Sequence, residues 1–483
     1  MSLLHHDAQR DAFAVASHFR DDFYACLTRR RDGLFEVTDA LLCADGPVTA
    51  PVDLTLLAEH RRGHGALYAA LNEGRIDAHR LRRTLAALPQ PRAADDRLVL
   101  AVDVSNWLRP DAECSADRLF CHTFGRGRDQ HLMIPGWPYS FVAALESGRT
   151  SWCQLLDAVR LGPDDDVAEV TAVQVRRVVE DLIAGGRWRE GDPDILVVFD
   201  AGYDAPRMAY LLDGLPVEVL GRMRSDRVMQ RPTPSLKEYA EAYPRGGRYP
   251  KHGKEFRFAK HETWGEPDTS TVQVTDRYGT ARAIAWDRLH PRLTTRSAWI
   301  DHDGELPVIE GTLIRLTVDR LPGGGDPLPL WLWSSATGMT CADVDLRWQA
   351  FLRRFDLEHT FRMIKQTLGW TRPKLRTPAA ADRWTWLIIV AHTQLRLARP
   401  LAEDIRRPWE RPLEPNRLTP ARVRRGFRNL RPALPCPARA PKPTRPGPGR
   451  PLGSKNQRPA TRYDVGKAVR RPESIIERDR IRP

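Results

Sequence analysis

Apolar and polar positions follow different periods in successive stretches of the chain. Up to about residue 92, apolar residues recur at three- and four-residue steps, as in Phe23 to Leu27, Leu34 to Leu42 and His64 to Leu71. This period predicts a helical block, closed by Pro89-Gln90-Pro91. Arg97 to Val104 is then a nearly unbroken apolar run of strand length, the pattern of a strand buried on both faces. Residues 118–124 and 131–134 are shorter strand candidates, and the Gly125-Arg126-Gly127 turn between them predicts a hairpin. Val170 to Ala184 carries apolar residues at helical spacing. A second buried strand is expected over Asp194–Asp200, a short helix over Pro206–Asp213, and a third strand over Val217–Leu220. Strands alternating with helices describe an α/β layer architecture.

From about 223 to 342 the pattern turns to short alternating runs among Gly, Pro and Thr: Ser270–Val274, Ala281–Trp286, Gly311–Val318 and Leu328–Trp333. These predict a β-rich insertion. Helical spacing returns from about Asp343 to Leu368 and from Ala380 to Ala398. After Pro408 the chain is basic and proline-rich, a composition expected to stay flexible. The organisation read from these changes is a helical domain over 1–92, an α/β core over 93–222, the insertion over 223–342, a return to the core over 343–408, and a tail over 409–483.

Charge adds a partner to this picture. The 483 residues hold 75 Lys and Arg against 62 Asp and Glu, a net of +13. Between Arg411 and Pro483 there are 20 basic and 5 acidic residues, so the tail holds the whole excess. That concentration suggests a polyanion such as nucleic acid. Only nine of the basic residues are lysine, a bias that a GC-rich coding sequence also produces. No apolar run approaches the about 20 residues of a membrane span, and no secretory signal is visible. Seven scattered cysteines do not form a disulfide framework, and a reduced, cytoplasmic protein is expected. Cys114, Cys121, His122 and His131 lack the spacing of a zinc site.

The candidate chemistry lies in carboxylates. Two apolar strands end in aspartate, at Asp103 and Asp200, and sites in open α/β sheets form beyond the carboxyl ends of strands. One such Asp can simply cap a turn; two, each closing a central strand, point to a shared cation. Gly202 would permit an unusual backbone angle beside Asp200, and Asp204 is a second carboxylate within reach. Further on, Phe351, Arg354, Glu358 and Lys365 fall on one face of the expected helix. By spacing alone this stripe is better read as an Arg354–Glu358 pair on a solvated surface.

Together these residues resemble the DDE transposases of bacterial insertion sequences. Phe351-x2-Arg354-x3-Glu358-x6-Lys365 is similar to their Y-x2-R-x3-E-x6-K signature, with Phe in place of Tyr. Val102-Asp103-Val104-Ser105 and Asp200-Ala201-Gly202-Tyr203 resemble the segments around their two aspartates. The long gap before Glu358 suits the subgroup in which a β-rich domain interrupts the fold. The resemblance implies a ribonuclease H-like mixed sheet with flanking helices, interrupted by that insertion, with an N-terminal helical domain and a flexible basic tail.

It also implies an activity: metal-dependent phosphodiester hydrolysis followed by strand transfer, that is, cut-and-paste transposition. Asp103, Asp200 and Glu358 would be catalytic and would hold two Mg²⁺ ions, with Mn²⁺ as a substitute; such pairs lie about 3.5–4 Å apart. Arg354 and Lys365 would hold DNA phosphates, and the Phe351 ring could stack. Trp331, or its neighbour Trp333, would stack on a flipped base at the element end. In the tail, Pro446 to Asn456 looks like an AT-hook element with Arg450 entering the minor groove, or serves as a nonspecific phosphate-binding segment. Element ends and target DNA are the implied partners, held by a homodimer, with no membrane. A ribonuclease H-like nuclease or resolvase without strand transfer, and a non-catalytic DNA-binding descendant, are the competing readings.

Overall fold

The computed structural model describes residues 3–124, 131–148, 150–442, 453 and 459–466. The first part is helical: α1 (Leu3–Cys26), α2 (Arg31–Cys43), α3 (His64–Glu73) and α4 (Ala78–Ala87). A small ribbon of β1 (Leu27–Arg29) and β2 (Arg75–Ile76) lies among them. There follow β3 (Val99–Leu108), β4 (Leu119–Phe124), β5 (His131–Leu145), β6 (Cys153–Arg160), α5 (Val167–Ala184), β7 (Ile195–Phe199), α6 (Ala205–Leu211) and β8 (Val217–Met223). Next come β9 (Val228–Gln230), α7 (Leu236–Ala242), β10 (Glu255–Arg257), β11 (Thr269–Thr275), β12 (Gly279–Leu289), β13 (Gly311–Val318) and β14 (Leu330–Ser334). The last helices are α8 (Cys341–Arg353), α9 (Phe355–Gln366), α10 (Pro378–Ala398) and α11 (Pro420–Leu430). Among the described residues no helix is long and apolar enough to cross a membrane. All seven cysteines are free.

Ten of the described strands form one sheet, in the order β11-β12-β13-β14-β8-β7-β3-β5-β4, with β6 also on β5. Its centre is ribonuclease H-like: β6, β5 and β3 are antiparallel neighbours, and β3, β7 and β8 run parallel. Every residue of β7 is buried, as its unbroken apolar run requires. The β-rich insertion continues this sheet, because β14 pairs antiparallel with β8.

The strand expected over 131–134 stops short of Pro135 and Pro138, yet β5 runs through both. The strand pairs with β4 up to Gly136 and with β6 from Tyr139, so the prolines fall where one ladder hands over to the other. Gly136 is required there: a Cβ would lie 2.6 Å from the Trp107 carbonyl oxygen.

The basic tail departs from expectation. Residues 415–438 are folded onto the helical block, with Val423, Phe427 and Leu434 buried. Arg424 donates to the carbonyls of Leu41 and Gly46, and Arg428 to that of Cys43. These basic side chains therefore satisfy carbonyls left open at and beyond the C-terminus of α2. Arg431 pairs with the buried Asp39, which Arg20 also grips. The flexible-tail composition rule fails here because arginines, unlike a generic charge run, have acceptors waiting on a finished helix end. Residues 459–466 lie along the sheet edge, where Gly466 bridges Leu119 of β4 and Tyr463 donates its backbone N–H to the Glu113 carbonyl.

Candidate active site

The parallel ladder sets two aspartates side by side. Val102 of β3 pairs with Phe199 of β7, and Asp103 and Asp200 are the next residues on each strand. Alternation along β3 puts Leu100 and Val102 into one core and Val99 and Ala101 into the other. Asp103 shares the face of Ala101 by the two-residue period. That face is covered by α9: Phe361 meets Phe141, the antiparallel partner of Asp103, at 5.2 Å between ring centroids.

The helix expected over 343–368 is two helices joined at Arg354. Arg354 N bonds to Phe351 O and Leu357 N to Arg354 O, three-residue steps that tighten the chain between α8 and α9. Phe351 lies one and two turns beyond Trp348 and Val344 and enters the core with them, 2% exposed. It has no face to offer DNA. Its ring lies instead 5.9 Å from the Arg354 guanidinium carbon, and so supports that side chain.

Arg354 gathers the site. Its side chain is 5% exposed, and its guanidinium lies 2.7 Å from Asp103 Oδ2, 3.3 Å from Glu358 Oε1 and 3.9 Å from Asp200 Oδ1. The three carboxylates, from residues 103, 200 and 358, therefore converge on one buried cation. Exposure of the carboxylate side chains rises from 21% at Asp103 to 38% at Asp200 and 51% at Glu358, so the cluster opens outward. Burial pushes the Asp103 carboxyl up to about 6; Arg354 pulls against this, while Asp200 and Glu358 add to it. Lys365, from the end of α9, sits over the Trp370 ring at 5.6 Å, and burial lowers its ammonium against the attraction of Asp103.

The donors suit a hard divalent cation: all are carboxylate oxygens, and Asp200 Oδ1 is buried without a hydrogen-bond partner. The spacing is that of a guanidinium-centred cluster. Among the described residues no three Asp, Glu, His or Cys side chains stand close enough to share one ion.

A family profile described as DDE superfamily endonuclease matches residues 22–292, more than half of the chain. The chain belongs to the DDE superfamily endonucleases. No curated protein matches it. The family match contains Asp103 and Asp200 and ends before α8, so Glu358 enters the site through its contact with Arg354 alone. DDE superfamily enzymes generally use divalent metals and act on DNA, which agrees with the oxygen-only donor set.

Other residues expected at the candidate site lie elsewhere. Trp331 is 4% exposed and is packed against Phe258 and Trp286 at 4.4 and 6.0 Å, with Trp264 and Arg315 around it. Trp333 is fully buried. Both rings belong to the core beneath the insertion strands, and neither can stack on a base there. Asp204 caps α6 by accepting from Arg207 N, which removes it from the carboxylate cluster. Gly202 is not among the positive-φ glycines. Arg450 lies outside the described residues.

A second buried ion pair holds this machinery in place and had no signal in the sequence. Glu218 of β8 accepts from Arg347 of α8 at 2.9 and 2.7 Å and from Ser334 of β14 at 2.6 Å, and it also contacts Arg97 just before β3. The partners are more than a hundred residues apart, so no local spacing announces them.

Proposed function

We propose that this endonuclease is a DNA transposase that cuts one strand at each end of its element and joins the freed 3′-OH to target DNA. The convergence of Asp103, Asp200 and Glu358 on Arg354 carries the reading. Mg²⁺, or Mn²⁺ in its place, would be held by these carboxylates once they close in from their guanidinium-centred spacing, with Asp103 the deepest of them. When bound, such ions supply charge stabilisation for the attacking and leaving oxygens of the in-line displacement.

The chain's own residues prepare for that event. With a carboxyl at about 6, Asp103 is ionised at neutral pH, and the guanidinium of Arg354 compensates it. Arg354 thus keeps three anions together before any other cation arrives. A substrate phosphate offers that guanidinium a bidentate partner, and Lys365 at the far end of α9 adds a point charge. Cleavage moves a water oxygen onto phosphorus and breaks the P–O3′ bond, and the released 3′-OH is the nucleophile for joining. Two ends and one such site per chain make a homodimer on DNA part of the proposal.

Duplexes carrying the DNA that flanks the coding sequence test this. Asp103→Asn, Asp200→Asn and Glu358→Gln should each abolish Mg²⁺- or Mn²⁺-dependent nicking and leave DNA binding in place. Cleavage retained by any one of them removes that residue from the site. Pre-cut ends that are never joined to a target would reduce the enzyme to a nuclease.

A further inference from the structure

The chain has fourteen tryptophans, all among the described residues, and Trp409 alone is exposed, at 75%. A solitary exposed apolar side chain is ordinary, but three features set this one apart. The turn bearing it is fixed. Glu410 N donates to the Arg407 carbonyl at 3.0 Å, Arg407 N donates to Glu410 Oε2 at 2.9 Å, and Arg425 of α11 grips the same carboxylate at 2.7 and 2.9 Å. One face of the indole has a cation beside it: the Arg407 guanidinium lies over its ring at 5.6 Å. The charge around it is unbalanced. Glu410 is committed to Arg425, while Arg406, Arg407 and Arg411 are exposed and form no ion pair among the described residues.

We propose that Trp409 is a stacking platform for an unpaired nucleobase of DNA, with Arg406, Arg407 and Arg411 holding the adjoining phosphates. An indole on a fixed turn has only two side-chain torsions to lose on binding, and every base has a π-face to meet it. Arg407 polarises the ring from behind and its charge also reaches the backbone. Three uncompensated guanidiniums favour a polyanion over an apolar protein surface. The proposal rests on DNA being the partner.

The test uses the full chain and two labelled duplexes of one sequence, one fully paired and one with a frayed, unpaired end carrying 2-aminopurine. Trp409→Ala should weaken binding to the frayed duplex about tenfold or more, the size of one lost base stack. Trp409→Phe should stay within about threefold, since a ring remains. Binding to the paired duplex should hardly change, and quenching of 2-aminopurine should disappear with Trp409→Ala. Replacing Arg406 and Arg407 by Gln should weaken both complexes and flatten their salt dependence. Equal binding of the frayed duplex by wild type and Trp409→Ala overturns the platform and leaves the transposase reading intact. Failure of the wild type to bind either duplex overturns both. A loss seen only with anionic lipid vesicles, and not with DNA, reassigns the turn to a membrane surface.

Discussion

Arg347→Met tests whether the Glu218 pair positions α8 and the proposed site residues that follow it. Glu218 and Arg347 are each 4% exposed and share two hydrogen bonds of 2.9 and 2.7 Å. Burial would raise the Glu218 carboxyl, and Arg347, Ser334 and Arg97 outweigh it to leave the group below its ordinary value. Removing one partner of such a pair costs about 3–5 kcal/mol, because the remaining charge stays buried. Ser334 and Arg97 still face Glu218, so a loss near about 3 kcal/mol is expected. Unfolding entropy of about 2 cal/mol/K per residue makes that a fall of roughly 3 °C in Tm for a chain this long. The sign with pH follows. A carboxyl held low contributes stability above its unfolded value of 4.5 and loses it as pH falls through the folded value. The deficit of Arg347→Met should therefore shrink as pH falls and Glu218 takes up a proton. Urea unfolding at pH 7 and pH 3, followed by far-UV circular dichroism, measures both. The double variant Glu218→Met with Arg347→Met should recover most of the loss, since paired apolar groups replace buried ion pairs at little cost. A single variant within about 1 kcal/mol of wild type, or a double variant no better than the single, refutes the clamp.

Three further outcomes are expected. Burial holds the His392 imidazole down to about 3 from 6.5, with neither ring nitrogen hydrogen-bonded, so the unfolded chain binds a proton that the folded chain refuses and stability drains away as pH falls below 6.5. His392→Phe should move the acid-unfolding midpoint to lower pH, and an unmoved midpoint would contradict this. Lys365→Met should weaken binding of nicked DNA about tenfold, the size of one charge-assisted contact; unchanged affinity would leave Lys365 a packing residue over Trp370. Removing residues 443–483 should keep the helical block folded while reducing the salt dependence of DNA binding, whereas removing 411–483 should unfold that block by taking α11 with it; circular dichroism and salt titrations of binding distinguish the two.

Much of the site was legible because it lies on continuous strands. The apolar runs before Asp103 and Asp200 announce β3 and β7, and the parallel ladder then makes the two residues neighbours. The insertion strands were visible from alternation at Ser270, Ala281, Gly311 and Leu328. Three features were not legible, each because a tertiary partner overrode a local rule. Pro135 and Pro138 concealed β5, since only the change of ladder makes proline harmless there. The stripe from Phe351 to Lys365 fitted one helix, and only the core contacts of Trp348 and Phe351 show which members face inward. Trp331 and Trp333 looked available for stacking because composition says nothing of the aromatic cluster that encloses them.

The seating of α11 against α2 has a consequence for biosynthesis. The helical block leaves the ribosome well before α10 and α11, yet its core includes α10, and its open carbonyls are met by Arg424 and Arg428. That block therefore waits with its apolar faces uncovered until α11 has been made, about 340 residues beyond the end of α4. These later-made helices thus act as a checkpoint on the earlier ones, and a product truncated before them would expose apolar surface to chaperones and proteases.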